Sequence, residues 1–265
     1  MIARTTLAIA ANTVREALRE RLLYNLLVFA LLLIGGSLTI SQLTLGEQYR
    51  IIADAATSAT QVFGVVMAVF LGVSLFSREI DRRTCYAVLA RPVSRAGFVA
   101  GKAAGLLATV ALNVAVMAAV TAAVLLTYAR SSPTLEVRPF GLAFFAVFAL
   151  IVVQLAVCIA FAVLFAGLTT PTLAVIFTLA VVCSGYLFTE VRNFWLASRQ
   201  VEMKGLVSVL DYLLPNMGLL DVKEALTYGD PVTWPSLLGR AAYGLLYAAA
   251  VLALAALGFS RKDIR

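Results

Sequence analysis

Residues 140–189 read FGLAFFAVFALIVVQLAVCIAFAVLFAGLTTPTLAVIFTLAVVCSGYLFT, 50 positions without one Asp, Glu, Lys or Arg. As one helix this run would be on the order of 75 Å long. A bilayer's hydrocarbon core is about 30 Å thick, and about 20 apolar residues cross it. The stretch is therefore two crossings joined by a turn. Gly167-Leu168-Thr169-Thr170-Pro171 supplies the turn, because proline is favoured in the first turn of a helix and breaks its interior. The two crossings become 140–166 and 171–189.

Working outward, the stretches 22–46, 55–77 and 103–129 are also free of charge and long enough to span, and a sixth span covers 240–260. An even number of crossings returns the chain to the side where it began. Cytoplasmic loops carry the excess of Lys and Arg. Residues 1–21, 78–102 and 261–265 hold 13 Lys and Arg, against seven in the opposite set of loops. Both termini are therefore expected in the cytoplasm, and the fold class is an all-α integral membrane protein of six transmembrane helices. Taken as a whole, 1–265 reads as one transmembrane domain in a plasma membrane.

Composition agrees. Of the 265 residues 62% are hydrophobic and 13% charged, with a mean hydropathy of +0.96. Soluble domains carry about a quarter charged residues. The net charge of +7 in so apolar a chain points to topology and anionic lipid, with no nucleic acid expected. Histidine is absent, which excludes a Ser-His-Asp triad and HExxH zinc chemistry. Cys85, Cys158 and Cys183 lack CxxC spacing, so no metal site or disulfide is expected.

Two further segments have amphipathic or mixed character. In residues 2–21, Leu7, Ala10, Val14, Ala17 and Leu18 share one helical face, opposite Thr5, Asn12, Arg15, Glu16 and Arg19. This spacing predicts an interfacial helix before the first span. The loop 190–238, 49 residues on the outer side, contains the apolar piece 205–214, which ends at Pro215-Asn216-Met217-Gly218. It is too short to cross, so a re-entrant or interfacial element is expected there. Trp195 and Trp234 flank it, as aromatic residues do at headgroup level.

Signs of catalysis are thin. The pair Gly101-Lys102 lacks the spacing of a phosphate-binding loop, and no acidic pair lies within a span. Apart from Arg240 at the very edge of the sixth, no Asp, Glu, Lys or Arg falls inside the six spans, which argues against a proton relay within this chain. Asn25, Gln61, Asn113 and Gln154 are amide side chains within the spans. Gln61, Asn113 and Gln154 are candidates for lining a substrate path, although interhelical hydrogen bonding would use the same residues.

The most specific pattern is the basic segment between spans 2 and 3. A short helix over 79–90 would set Ile80, Tyr86 and Leu89 among charges, with Pro92 ending it. Arginines alone would fix topology; the aromatic and leucine positions add a surface suited to a partner. The run Glu79-Ile80-Asp81-Arg82-Arg83-Thr84, followed by Val88-Leu89-Ala90-Arg91-Pro92-Val93-Ser94-Arg95 and Gly101-Lys102, resembles the cytoplasmic signature of ABC-2 type transporter permeases. It is most similar to the branch that includes the permeases encoded with nitrous oxide reductase maturation. Many relatives have glycine before the threonine, where this chain has Arg83. The six spans, the N-terminal helix and Leu213-Leu214-Pro215-Asn216 extend the resemblance along the chain.

The resemblance implies a permease subunit without its own ATPase, which moves a substrate outward or transmits ATP-driven motion. Two copies would pair as a homodimer, each docking a separate cytoplasmic ATPase that binds ATP and Mg; this chain would bind no cofactor. Glu79, Arg82, Arg83, Thr84, Tyr86 and Leu89 would form the coupling interface, the charged residues as ion pairs and Tyr86 and Leu89 in a groove of the partner. The outer loop could meet an accessory protein on that side. The competing reading is a stand-alone scaffold or channel whose basic loop binds only lipid headgroups. An intramembrane enzyme is disfavoured by the missing histidine and buried acids.

Overall fold

The structure, a computed structural model, describes residues 2–41, 48–81, 95–131, 141–198, 214–228 and 231–261. These form helices α1 (Ile2–Ala17), α2 (Arg21–Ser41), α3 (Gln48–Asp81), α4 (Arg95–Ser131), α5 (Leu142–Leu168), α6 (Pro171–Ser198), α7 (Met217–Leu220), α8 (Lys223–Thr227) and α9 (Trp234–Arg261), and among the described residues there is no strand. Six of the helices, α2 to α6 and α9, are long and apolar enough to cross a membrane. The 50-residue charge-free stretch breaks at Thr169 and Thr170. Thr169 is extended, its amide and hydroxyl both turn back to the Phe165 carbonyl, and α6 starts on Pro171.

The bundle is arranged around α5. This helix is apolar on every side and packs most extensively against α9 and α3, then α4 and α6. Alanines at 146, 160 and 162 are fully buried in it, so neighbouring helices approach closely. Phe161 meets Tyr247 of α9 at 6.0 Å between ring centroids. The peripheral helices show the reverse pattern. Val28, Phe29 and Leu32 of α2, Ile176 of α6 and Leu246 and Leu254 of α9 all face outward. Exposed apolar surface of that extent belongs in lipid.

Helix α1 packs along the first turns of α4, and here the structure corrects the sequence reading of one residue. The packed face is Thr6, Ile9, Ala10, Thr13 and Ala17, while Leu7 is 71% exposed. The reason lies in α4, where Gly101 and Gly105 allow backbone to approach backbone. A Cβ on Gly105 would meet the Ala10 carbonyl oxygen and the Thr13 Cβ at 2.6 Å each. Small side chains fit such a contact and leucines do not, so the helix turns its smaller residues inward. The correction concerns Lys102, assigned from sequence to the segment 78–102. Helix α4 begins at Arg95, so Lys102 lies two turns inside it, 1% exposed, with its ammonium 3.2 Å from Glu16 of α1.

The tight contact makes a test. Gly105→Ala overpacks the α1–α4 seam and should cost about 1–3 kcal/mol, lowering the melting temperature in detergent. Gly36→Ala in α2, where no atom lies within 4 Å of the added carbon, should leave it unchanged or raise it. Equal behaviour of the two variants would show that α1 is not held this way.

Candidate functional site

Of the six residues assigned from sequence to a coupling interface, Glu79 lies in the last turn of α3. Arg82, Arg83, Thr84, Tyr86 and Leu89 lie outside the described residues, as does most of the short helix expected over 79–90. What is described is the frame around them. Arg78, one residue before Glu79, pairs with Glu20 just beyond α1, and Lys102 of α4 pairs with Glu16. The two helices that bracket residues 82–94 are thus fastened, α4 to α1 and α3 to the corner between α1 and α2. These acid partners were not legible in the sequence, because pairs 58 and 86 residues apart have no local spacing.

The three amide candidates separate. Asn113 of α4 is buried, and its amide donates to the Thr109 carbonyl of its own helix at 2.9 Å. Gln61 of α3 and Gln154 of α5 instead face each other, 6% and 0% exposed. The Gln61 amide nitrogen lies 3.0 Å from Gln154 Oε1, 2.8 Å from the Tyr186 hydroxyl of α6 and 3.4 Å from Asp221 Oδ2. Two N–H groups thus have three acceptors within reach. The Gln154 amide nitrogen donates onward to the Met217 carbonyl at 3.5 Å.

Asp221 and Met217 belong to the segment 214–228, which packs against α3, α5, α6 and α9. Its fold follows from its sequence. Asn216 caps α7 by accepting from the Leu219 amide at 3.0 Å, and Asp221 Oδ1 accepts from the Lys223 amide at 3.1 Å to start α8. Further contacts fix it to its neighbours. The Asn216 amide donates to the Tyr243 hydroxyl and Arg240 donates to the Leu219 carbonyl, both at 2.9 Å, while Arg50 of α3 covers the Tyr228 ring. Gly185 of α6 makes room, since a Cβ there would sit 2.5 Å from the Pro215 carbonyl oxygen. A cavity of about 150 Å³ opens beside Asp221, lined by Leu150, Glu224, Leu237 and Arg240.

Tyr186 and Asp221 were not found from sequence. The tyrosine looks like any apolar span residue, and the aspartate sits in what reads as a loop. The expected re-entrant piece 205–214 lies outside the described residues except for Leu214, and the buried element follows it.

Six apolar helices thus enclose a buried amide pair, and the ends of α3 and α4 are held by ion pairs. The family model for ABC-2 family transporter proteins matches residues 7–264. The chain belongs to the ABC-2 transporter family. No curated protein matches it. As a member of the ABC-2 family it is a multi-pass membrane protein and the permease component of an ABC transporter. Within that permease, Gln61, Gln154, Tyr186 and Asp221 fasten the segment 214–228 to the bundle.

The amide pair can be tested by a double-mutant cycle. Gln61→Leu and Gln154→Leu each strand a buried partner and should destabilise the protein by about 1–3 kcal/mol. The double change should cost less than the two together, by roughly 0.5 kcal/mol or more. Unfolding in detergent, with Asn113→Leu as a single-helix comparison, measures this; strict additivity would mean the two amides do not interact.

Proposed function

We propose that this permease works with a separate cytoplasmic ATPase, as one of two identical copies, to export a substrate or to carry ATP-driven motion across the plasma membrane. Both termini and the segment 82–94 face the cytoplasm on this reading, in keeping with the concentration of Lys and Arg at those positions. ATP and Mg are bound by the ATPase, not by this chain. The resemblance of residues 79–95 to the permeases encoded with nitrous oxide reductase maturation favours that branch. An accessory protein on the outer side would meet the loop 190–238.

The observation that carries the reading, beyond family membership, is the clamp at the α1 end. Residues 82–94 join α3 to α4; Arg78–Glu20 ties α3 to the α1–α2 corner and Lys102–Glu16 ties α4 to α1. A push on that segment is taken up by three helices at once, as a rigid-body motion requires. Glu79, Arg82, Arg83 and Thr84 supply polar contacts to the ATPase, and Tyr86 and Leu89 its apolar anchors. The substrate path runs past Gln61 and Gln154, and the segment 214–228 closes it in the arrangement described. Asn113, bonded within α4, has no part in that closure.

Co-purification in mild detergent with an ATPase encoded beside this chain tests the pairing. Wild type should retain it, and the Tyr86→Ala/Leu89→Ala double change should weaken retention by at least about tenfold, since interface anchors of this kind contribute 2 kcal/mol or more. A folded, monodisperse wild type that binds no ATPase would sink the proposal and leave the scaffold or channel.

A further inference from the structure

The charges at the corner between α1 and α2 are sorted by sign. Glu16 and Glu20 turn toward the bundle, where they meet Lys102 and Arg78. Arg15, Arg19 and Arg21 turn outward and are exposed, and among the described residues none of the three has a carboxylate partner. A segment of seven residues, 15–21, thus spends both its acids internally and presents three guanidinium groups to the outside.

Those arginines stand beside exposed apolar side chains. Leu7 is 71% exposed, and Leu22 and Tyr24 are about half exposed. Leu7, Val14 and Leu18 recur at helical spacing on a flank of α1 next to the one bearing Arg15, because the packed face has been given over to smaller residues. The flank is amphipathic in the sense of an interfacial helix, with apolar side chains to enter the acyl region and cations to stay at headgroup level. The corner is also fixed in shape. The Tyr24 hydroxyl donates to the Leu18 carbonyl at 2.7 Å, and the amides of Arg19, Glu20 and Leu23 bond the carbonyls of Glu16, Ala17 and Glu20 at 3.1–3.2 Å. The backbone that carries the arginines is therefore ordered before any ligand arrives, which lowers the cost of binding.

We propose that Arg15, Arg19 and Arg21 form a binding site for the phosphate headgroups of anionic phospholipids, with Leu7, Leu22 and Tyr24 seated among the adjoining acyl chains. Guanidinium groups match phosphate oxygens in pairs, which an ammonium does not. The site needs only that the bundle spans a bilayer and is independent of the ATPase pairing proposed above. Its lipid would hold α1 at the membrane surface while Glu16 holds α4 to α1 and Glu20 holds α3 to the α1–α2 corner.

Native mass spectrometry of the full chain with phosphatidylglycerol or phosphatidylcholine of the same acyl chains tests the site. Wild type should prefer phosphatidylglycerol. Each basic residue near an anionic surface contributes about fivefold, so R15Q/R19Q/R21Q should weaken its binding on the order of 100-fold. R15K/R19K/R21K keeps the charge without the paired contacts and should restore only part of it. The control R130Q/R138Q/R192Q removes the same number of charges from loops expected on the opposite side and should change it less than threefold. Melting temperatures check folding, and if the triple glutamine variant melts early, single changes should each show about a fivefold loss. Unchanged lipid preference in the glutamine variants, or an equal loss in the control, overturns the proposal. So does a triple variant that keeps its lipid and loses an ATPase, which would assign the arginines to a protein partner.

Discussion

An amide in hydrocarbon must find a partner within the protein, since nothing in the lipid can hydrogen-bond to it. Apolarity alone does not place α5 at the centre of the bundle, because lipid tails are as apolar as its leucines and valines. Gln154 does, together with the buried alanines that let neighbours close in. Hydroxyls in the spans meet the same requirement locally. Thr57, Thr60, Thr109, Thr121 and Thr178 each donate to the carbonyl four residues back in their own helix. Asn113 is short enough to do likewise. The two glutamines reach further and bond each other, so α3, α5, α6 and the segment 214–228 are gathered around them.

Charge is handled by a different rule at the α1 end. A buried ammonium is tolerated only with a carboxylate nearby, and Lys102 obtains one from Glu16 because glycines at 101 and 105 bring α1 against α4. The glycines and the ion pair therefore depend on each other. Glycine permits the approach, and the approach brings the carboxylate within reach of the lysine.

The parts legible from sequence are those set by composition over a whole span. The turn at Thr169 and Thr170 follows from length and proline, and six apolar helices follow from charge-free runs. What escaped was set by contacts between distant residues. The inward face of α1 could not be read from sequence, since it carries Thr13 rather than Leu7 and the surface it meets is bare backbone at Gly101 and Gly105. Lys102 read as a loop residue because charge marks loops in an apolar chain. Tyr186 and Asp221 gave no signal at all, since their meaning comes only from Gln61 beside them. The amides drew attention, and two of the three named meet; side-chain reach explains why Asn113 does not.

Helix α3 connects the two rules. It runs unbroken from Gln48 to Asp81, carrying Gln61 in the amide cluster and Arg78 in the clamp, about 25 Å apart along the axis. An unbroken helix held at both points cannot shift axially at one without shifting at the other. The two attachments differ in how they would respond. The clamp is ionic, whereas Gln61 has one more acceptor in reach than it has N–H groups. A displacement of about one residue rise can therefore exchange Gln154, Tyr186 and Asp221 as partners without leaving the amide bare. The arrangement joins a stiff rod to a contact that tolerates small movement, which a cluster of single-partner hydrogen bonds would not.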